Sequence, residues 1–259
     1  MNRLQIYRLL YQHKKLRSRR SPIFEQNMVA KVFVGIGSAF TVLYLVLFAI
    51  ILSMVANESS WIEGYELMFA TLPFILAADF LFRFMAQQTP TQLIHPYLLL
   101  PMPKDTCVES FIIFSVLSWG NLMWLALFLP FSIMSVLFQV GLLQTLSFLI
   151  ALQLFILMNS LWYILCRTLI NSSLLWWVVP ASVYGLIFLP WILNDFGYFC
   201  EFYAHGGDFF TFANPLAYLC LFCVLIFLFI VNIKVQGYYI YKEVTGQGAK
   251  QLKSVSRFN

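Results

Sequence analysis

The chain has 259 residues, of which 61% are hydrophobic and only 10% are charged, whereas about a quarter of the residues in soluble globular domains are charged. This composition excludes an ordinary soluble domain and predicts an integral membrane protein. The apolar runs are continuous and do not alternate with a period of two, which favours transmembrane helices over a barrel. The net charge of +5 lies beside apolar runs, so it indicates membrane orientation and contact with anionic lipids rather than nucleic-acid binding.

The N-terminal segment, residues 1–31, is strongly basic and contains eight of the sixteen Lys and Arg residues. Within it, residues 2–20 place apolar and cationic side chains on opposite sides of a helical wheel. They predict an amphipathic helix that lies in the headgroup layer. We expect no cleavable signal peptide, because the first apolar run starts after some thirty basic and polar residues and is too long for one.

Hydropathy then predicts an all-α membrane domain that crosses the bilayer six times. Between Glu109 and Arg167 there is no charged residue, and this interval fits two spans of ~20 residues with a tight turn. Pro130 predicts a kink in the third span. The predicted spans are residues 32–56, 67–86, 110–138, 145–166, 174–193 and 209–233.

The distribution of charges predicts the orientation of these spans. With the N-terminus in the cytoplasm, every Lys and Arg lies inside or near the inner surface. The loops on the outer side then contain no Lys or Arg. Their charged residues are all acidic, namely Glu58, Glu63, Glu66, Asp195, Glu201 and Asp208. The positive-inside rule therefore predicts a six-span domain over 32–236 with both termini inside, followed by a polar cytoplasmic tail over 237–259.

The loop between the second and third spans is punctuated by prolines. Thr89, Pro90 and Gln92 form a helix-start pattern, and Thr106 with Glu109 forms another before the next span. Further prolines at 96, 101 and 103 stop any helix between them. The loop is therefore predicted to form short, stiff helical turns at the inner surface, where a partner protein could dock.

The loop between the fifth and sixth spans, residues 194–208, is rich in aromatic and acidic residues. One interpretation is a re-entrant insert that dips into the outer headgroup region as short helices turned at Gly206 and Gly207. The other is an ordinary aromatic belt at the membrane interface.

Asp79 and Arg83 are the two charged residues within the second predicted span. They are four residues apart, so on a helix they can pair directly. One interpretation is an ion or substrate relay, since charges inside a membrane usually face the protein interior or water. The other is a self-neutralising pair in which Arg83 extends toward the inner surface.

Motifs for catalysis, cofactors and metals are absent from the sequence. There is no P-loop, no H-E-x-x-H and no G-x-S-x-G, so we predict no catalytic, cofactor-binding or metal-binding residue in this chain. His205 has Glu201 and Asp208 loosely spaced around it, which is more typical of a solvated outer face than of a metal site. Cys220 and Cys223 lie in an apolar helix, where cysteine behaves as a small hydrophobic residue.

The layout of these elements resembles the transmembrane subunit of an ABC exporter of the type-2 permease class. The most specific local match is the run Leu100-Pro101-Met102-Pro103-Lys104, which looks like the Leu-Pro-apolar-small-basic signature before the third span of those permeases. In addition, KLRSRRSPIFEQNM and PYLLLPMPK are similar to stretches in a group of bacterial permease-like membrane proteins of unassigned function.

The resemblance implies a function and a set of partners. Residues 1–31 would be the elbow helix, and the chain would dimerise with a second permease subunit, either a copy of itself or a different one. The chain would lie in the bacterial cytoplasmic membrane, and a separate ATPase subunit, which binds ATP and Mg²⁺, would dock at residues 89–104. This chain would therefore hydrolyse no ATP itself. The residues that would couple to the ATPase are Thr89, Gln92, His95, Pro96, Tyr97, Leu98, Pro101, Pro103 and Lys104.

Two other functions are compatible with the sequence. One is a membrane-embedded enzyme that modifies lipid, with Asp79, His95 or the outer acids as its working groups. It predicts activity in the purified chain without nucleotide or partner. The other is a non-catalytic membrane anchor or assembly protein, which predicts that no ATPase binds at residues 89–104.

Overall fold

The computed structural model describes residue 5 and residues 7–13, 28–59, 62–86 and 104–255. These residues are almost entirely helical and include no strand. Short 3₁₀ and π segments, Leu174–Trp177 and Ser132–Val136, interrupt the α-helices. The α-helices are α1 (7–13), α2 (Met28–Glu58), α3 (Gly64–Ala86), α4 (Lys104–Val116), α5 (Trp119–Leu122), α6 (Leu125–Phe131), α7 (Leu137–Val140), α8 (Leu142–Ser172), α9 (Val178–Ile187), α10 (Leu189–Leu193), α11 (Phe196–Thr211) and α12 (Pro215–Val255).

Four of the described helices contain stretches long and apolar enough to cross a membrane, or five if a bent pair counts as one span. The prediction of an all-α protein with several membrane-length helices is therefore confirmed at this level. The four stretches are Gly35–Glu58, Gly64–Met85, Leu142–Ser172 and Pro215–Tyr239, and the bent pair is Asp105–Leu122 with Leu125–Val140.

The bend in that pair does not lie at Pro130, where the sequence predicts it. It lies at residues 123–124, between α5 and α6. Pro130 instead precedes the π segment Ser132–Val136. A proline has no backbone N–H to donate, and a local change to π-type hydrogen bonding is one way for a helix to accommodate such an irregularity.

The predicted fifth span, residues 174–193, is interrupted in the structure. Leu174–Ile187 is a shorter apolar helix, and Phe188 leaves the helical conformation before α10 begins. Pro190 lies at the start of α10, where a backbone N–H would have no partner within the helix, so proline is tolerated there. Fourteen helical residues extend only ~21 Å, which is less than the ~30 Å hydrocarbon core.

Residues 194–214 differ from the predicted short helices turned at two glycines. α11 runs without a break through Gly206 and Gly207. The chain turns after α11 at residues 212–214, where Ala213 has a positive φ of 55°. Asp195 caps α11 and Asn214 caps α12, since each side-chain oxygen accepts a hydrogen bond from a backbone N–H two or three residues later. α12 then continues as a helix to Val255, well past the predicted end of the last span.

The described residues belong to two compact units that interleave along the chain. The first unit takes its described residues from Met1–Ala70, Leu117–Leu154 and Tyr203–Ala217. Here α2 packs against α6 and the π segment. The buried positions of α2 are the small residues Ala49, Ser53 and Ala56, which allow helices to approach closely. Gly35 and Ala39 are also small residues four positions apart on α2, but they are exposed.

The second unit takes its described residues from Thr71–Val116, Phe155–Phe202 and Tyr218–Asn259. The C-terminal half of α8 lies at its centre. One side of α8 contributes Leu161, Leu165 and Leu169 to a core with Val108, Ile112 and Leu228 from α4 and α12. The other side contributes Tyr163, Ile164, Cys166 and Ile170 to a core with Phe80 of α3. This second unit contains the site described next.

Candidate functional site

The two charged residues of α3, Asp79 and Arg83, form a buried ion pair. Arg83 Nε donates a hydrogen bond to Asp79 Oδ2 at 2.7 Å, and the two side chains are only 5% and 6% exposed. Their spacing of four residues places them one helical turn apart on one face of α3. The direct pairing predicted from this spacing is therefore present, and Arg83 is buried. Its charge is neutralised inside the protein.

Asn159 of α8 is a second hydrogen-bond donor to the carboxylate of Asp79. Its Nδ2 donates to Asp79 Oδ2 at 2.8 Å and to the Leu76 carbonyl at 2.9 Å. Its Oδ1 accepts a hydrogen bond from the Tyr184 hydroxyl of α9 at 3.0 Å. The amide thus uses both donors and its acceptor at once, which also determines its orientation.

Ser160, next to Asn159 on α8, lies beside the guanidinium. Arg83 Nη1 donates to Ser160 Oγ at 3.4 Å, and Ser160 is fully buried. We call Asp79, Arg83, Asn159, Ser160 and Tyr184 the polar cluster. It connects three helices, α3, α8 and α9, through side-chain hydrogen bonds in an apolar surrounding. Such bonds are stronger where water is excluded, and an unpaired group would be costly there.

Aromatic rings and a second arginine lie beside the polar cluster, near the end of α3. The ring centroid of Phe80 lies 5.2 Å from that of Tyr184, and the ring of Phe84 lies 4.8 Å from that of Trp177. Arg167 Cζ lies 4.1 Å above the Phe84 ring, and its Nη1 donates to the Phe84 carbonyl at 3.3 Å. Arg167 therefore binds one of the last carbonyls of α3, which have no partner within the helix.

The polar cluster contains three residues that the sequence does not single out, Asn159, Ser160 and Tyr184. The signal for Asn159 and Ser160 was present, since they lie in a run without charges, where polar side chains often hydrogen-bond across helices. Tyr184 gives no such signal, because a tyrosine near the end of an apolar run is also typical of the membrane interface.

Most of the residues expected to couple to an ATPase lie outside the described part of the chain. These are Thr89, Gln92, His95, Pro96, Tyr97, Leu98, Pro101 and Pro103. Lys104 is the first residue of α4. Thr106, predicted as a helix cap, is a buried residue inside α4, because the helix starts two residues earlier than the predicted cap.

The other described residues considered from the sequence are His205 with its neighbouring acids and the two cysteines of α12. His205 Nδ1 lies 3.8 Å from Asp208 Oδ2, and both side chains are partly exposed. Among the described residues, no group of three or more His, Cys, Asp or Glu side chains is placed to hold a metal ion. Cys220 and Cys223 are exposed free thiols on the apolar part of α12.

Comparison with known proteins gives one family match. Residues 14–258 match the model of DUF5687, which is described as a family of unknown function. No curated protein and no solved structure matches the chain.

Proposed function

The chain belongs to the DUF5687 family, and we propose that it is the transmembrane subunit of an ATP-driven ABC exporter. In this proposal it crosses the bacterial cytoplasmic membrane six times with both termini inside, and the interrupted run 174–193 is one of the six spans. It pairs with a second permease subunit. A separate ATPase subunit supplies the energy and binds at residues 89–104.

The observation that carries the proposal is the position of the polar cluster at the end of α3. α3 ends at Ala86, three residues before the proposed coupling segment begins at Thr89. The cluster connects the last two turns of α3 to α8, and α8 to α9, by hydrogen bonds of 2.8–3.4 Å. Arg167 adds another bond from α8 to the Phe84 carbonyl.

These bonds matter because an exporter subunit must pass a movement from its inner loop into the membrane. Apolar helices in a bilayer have no strong hydrophobic force that holds them together, so they can shift relative to each other. Directional hydrogen bonds to a buried ion pair resist such a shift. A displacement of residues 89–104 would therefore move α3 together with α8 and α9.

The position of Asp79 also bears on the enzyme alternative. Asp79 is buried, with 4% of the residue exposed, and its carboxylate already accepts hydrogen bonds from Arg83 and Asn159. A general acid or base must reach the reacting group of its substrate. An enzyme would have to expose this carboxylate to its substrate, whereas a role in connecting α3 to α8 and α9 needs no change in the observed contacts.

The test is to purify the tagged full chain from its native membranes and to ask whether a P-loop ATPase accompanies it. A photo-cross-linking residue in place of Tyr97 is expected to join the chain to that ATPase. The same residue in place of Tyr198, in the proposed outer insert, is the matched control and is expected to give no such product. The purified complex is expected to hydrolyse Mg-ATP.

A second variant replaces Pro96, Pro101 and Pro103 by glycine and removes the stiffness of the loop. It is expected to insert into the membrane normally, but its ATP hydrolysis should no longer respond to the permease subunits. A purified chain without any ATPase, or cross-linking that is equal at Tyr97 and Tyr198, would contradict the proposal. Nucleotide-independent turnover of lipid by the chain alone would favour the enzyme instead.

A further inference from the structure

Arg167 differs from Arg83, because no acidic side chain among the described residues pairs with it. Within the part of the chain that the structure describes, its guanidinium forms one hydrogen bond, to the Phe84 carbonyl, and lies over the Phe84 ring. Its Nε is buried and has no hydrogen-bond partner there. An arginine has five N–H donors, so most of its binding capacity is unused. A cation in this state, at the end of a long apolar helix, can bind an anion with its remaining donors.

The space beside Arg167 is a cavity of about 460 Å³ at the end of α8. Side chains that can donate hydrogen bonds line much of it. The lining residues are Arg167, Ile170, Asn171, Ser172, Ser173 and Leu174. The Asn171 amide is exposed at this position. The Arg167 guanidinium, the Asn171 amide and the Ser173 hydroxyl match the oxygens of a phosphate group, which arginine binds in a forked geometry. The Ser172 hydroxyl donates to the Leu169 carbonyl instead.

The chain that follows the cavity is apolar and exposed. Leu174 and Leu175 are 78% and 82% exposed, and Trp176 and Trp177 are 37% and 41% exposed. Tryptophan is typical of the level of the lipid headgroups, and leucine is typical of the level of the acyl chains. A ligand with a phosphate in the cavity and acyl chains along Leu174 and Leu175 would contact both surfaces.

We propose that the cavity at Arg167 binds the phosphate of an anionic phospholipid. Basic pockets of membrane proteins are known to hold such headgroups, and the anion would give Arg167 a counter-charge. Here the lining comes from one continuous stretch, residues 167–174. The inference needs only that the chain lies in a membrane and does not depend on coupling to an ATPase. Free phosphate has the same chemistry at the headgroup, so the experiment must distinguish the two sources.

The experiment measures lipid binding to the purified full chain by native mass spectrometry in detergent. The wild-type chain is expected to bind phosphatidylglycerol more tightly than phosphatidylcholine. Arg167→Gln should weaken phosphatidylglycerol binding about tenfold, because it removes charge-assisted hydrogen bonds, and Asn171→Ala about threefold. Lys234→Gln removes an exposed cation from α12 and is the matched control that should leave the affinity unchanged.

The outcomes are distinct even if Arg167→Gln fails to fold, because Asn171→Ala and Arg167→Lys test the same cavity. Arg167→Lys retains the charge without the fork and should bind more weakly than wild type. A parallel titration with inorganic phosphate identifies the source. Phosphate that binds wild type and not the variants assigns the cavity to a soluble anion. Equal affinity of wild type and all three cavity variants for both lipids and for phosphate would overturn the proposal.

Discussion

The buried ion pair of α3 depends on each of its partners. Asp79 Oδ2 accepts hydrogen bonds from Arg83 and from Asn159, and the amide of Asn159 is itself held by Tyr184. Breaking a buried pair leaves one charge uncompensated, whereas removing both charges avoids that penalty. At the scale of single residues, the pair should therefore behave as a unit in stability measurements.

The first prediction concerns the carboxylate. Asp79→Asn should lower the free energy of unfolding by about 3–5 kcal/mol, because Arg83 remains buried with its charge unmatched. The measurement is an unfolding titration of the purified chain in mixed detergent micelles. The control is the double variant Asp79→Asn/Arg83→Met, which removes both charges and should lose less stability than Asp79→Asn alone. If the double variant lost as much unfolding free energy as Asp79→Asn and Arg83→Met lose together when measured singly, this account would be contradicted.

At the scale of elements, the course of α11 depends on what its glycines meet. In the first unit, Phe69 of α3 packs against Phe148 and Phe210, with ring centroids 5.7 and 5.9 Å apart. A Cβ on Gly207 would lie 2.5 Å from Phe69 Cδ2, so only glycine allows this approach. A Cβ on Gly206 would meet nothing within 4 Å. Two adjacent glycines thus have different roles, and neither ends the helix.

The second prediction uses this difference. Gly207→Ala should destabilise the chain by about 1–3 kcal/mol, because the added methyl group overlaps the Phe69 ring in a packed region. Gly206→Ala, the matched control, should be neutral or stabilise by up to about 1 kcal/mol, since alanine is the better helix former. The same micelle titration measures both. Equal losses for the two variants would mean that α11 does not pack on Phe69.

At the scale of the whole molecule, the number of membrane crossings depends on residues 174–193. Four or five membrane-length helices are present in the described chain, and the six-span proposal requires this interrupted run to cross as well. An interruption inside a span is tolerated where protein or water satisfies the exposed backbone groups. The absence of Lys and Arg from the proposed outer loops is the argument for the crossing.

The third prediction tests that crossing by cysteine labelling in cells, with the five native cysteines replaced. An impermeant maleimide should label Glu58→Cys and Tyr198→Cys from outside. His95→Cys and Ser173→Cys should react only after the membrane is made permeable. Labelling of Tyr198→Cys only after permeabilisation would show that residues 174–193 do not cross, and the six-span topology would then be wrong.

The sequence by itself determined that this protein is helical and has several membrane-length apolar helices. Length and hydropathy are local properties, so α2, α3, α8 and α12 could be located from the residues they contain. The sequence also predicted that Asp79 and Arg83 pair, because residues four apart lie about one turn apart on a helix.

Only the tertiary structure decided what surrounds that pair. Asn159 is 80 residues from Asp79 in sequence, and Tyr184 is a further 25 residues away, so their contacts depend on how the helices pack. The same holds for α11, where Gly207 packs against Phe69, a residue far away in sequence, in a space that a larger side chain would fill. Hydropathy reports the transfer of each residue from water, whereas these features arise from contacts between residues far apart in the chain.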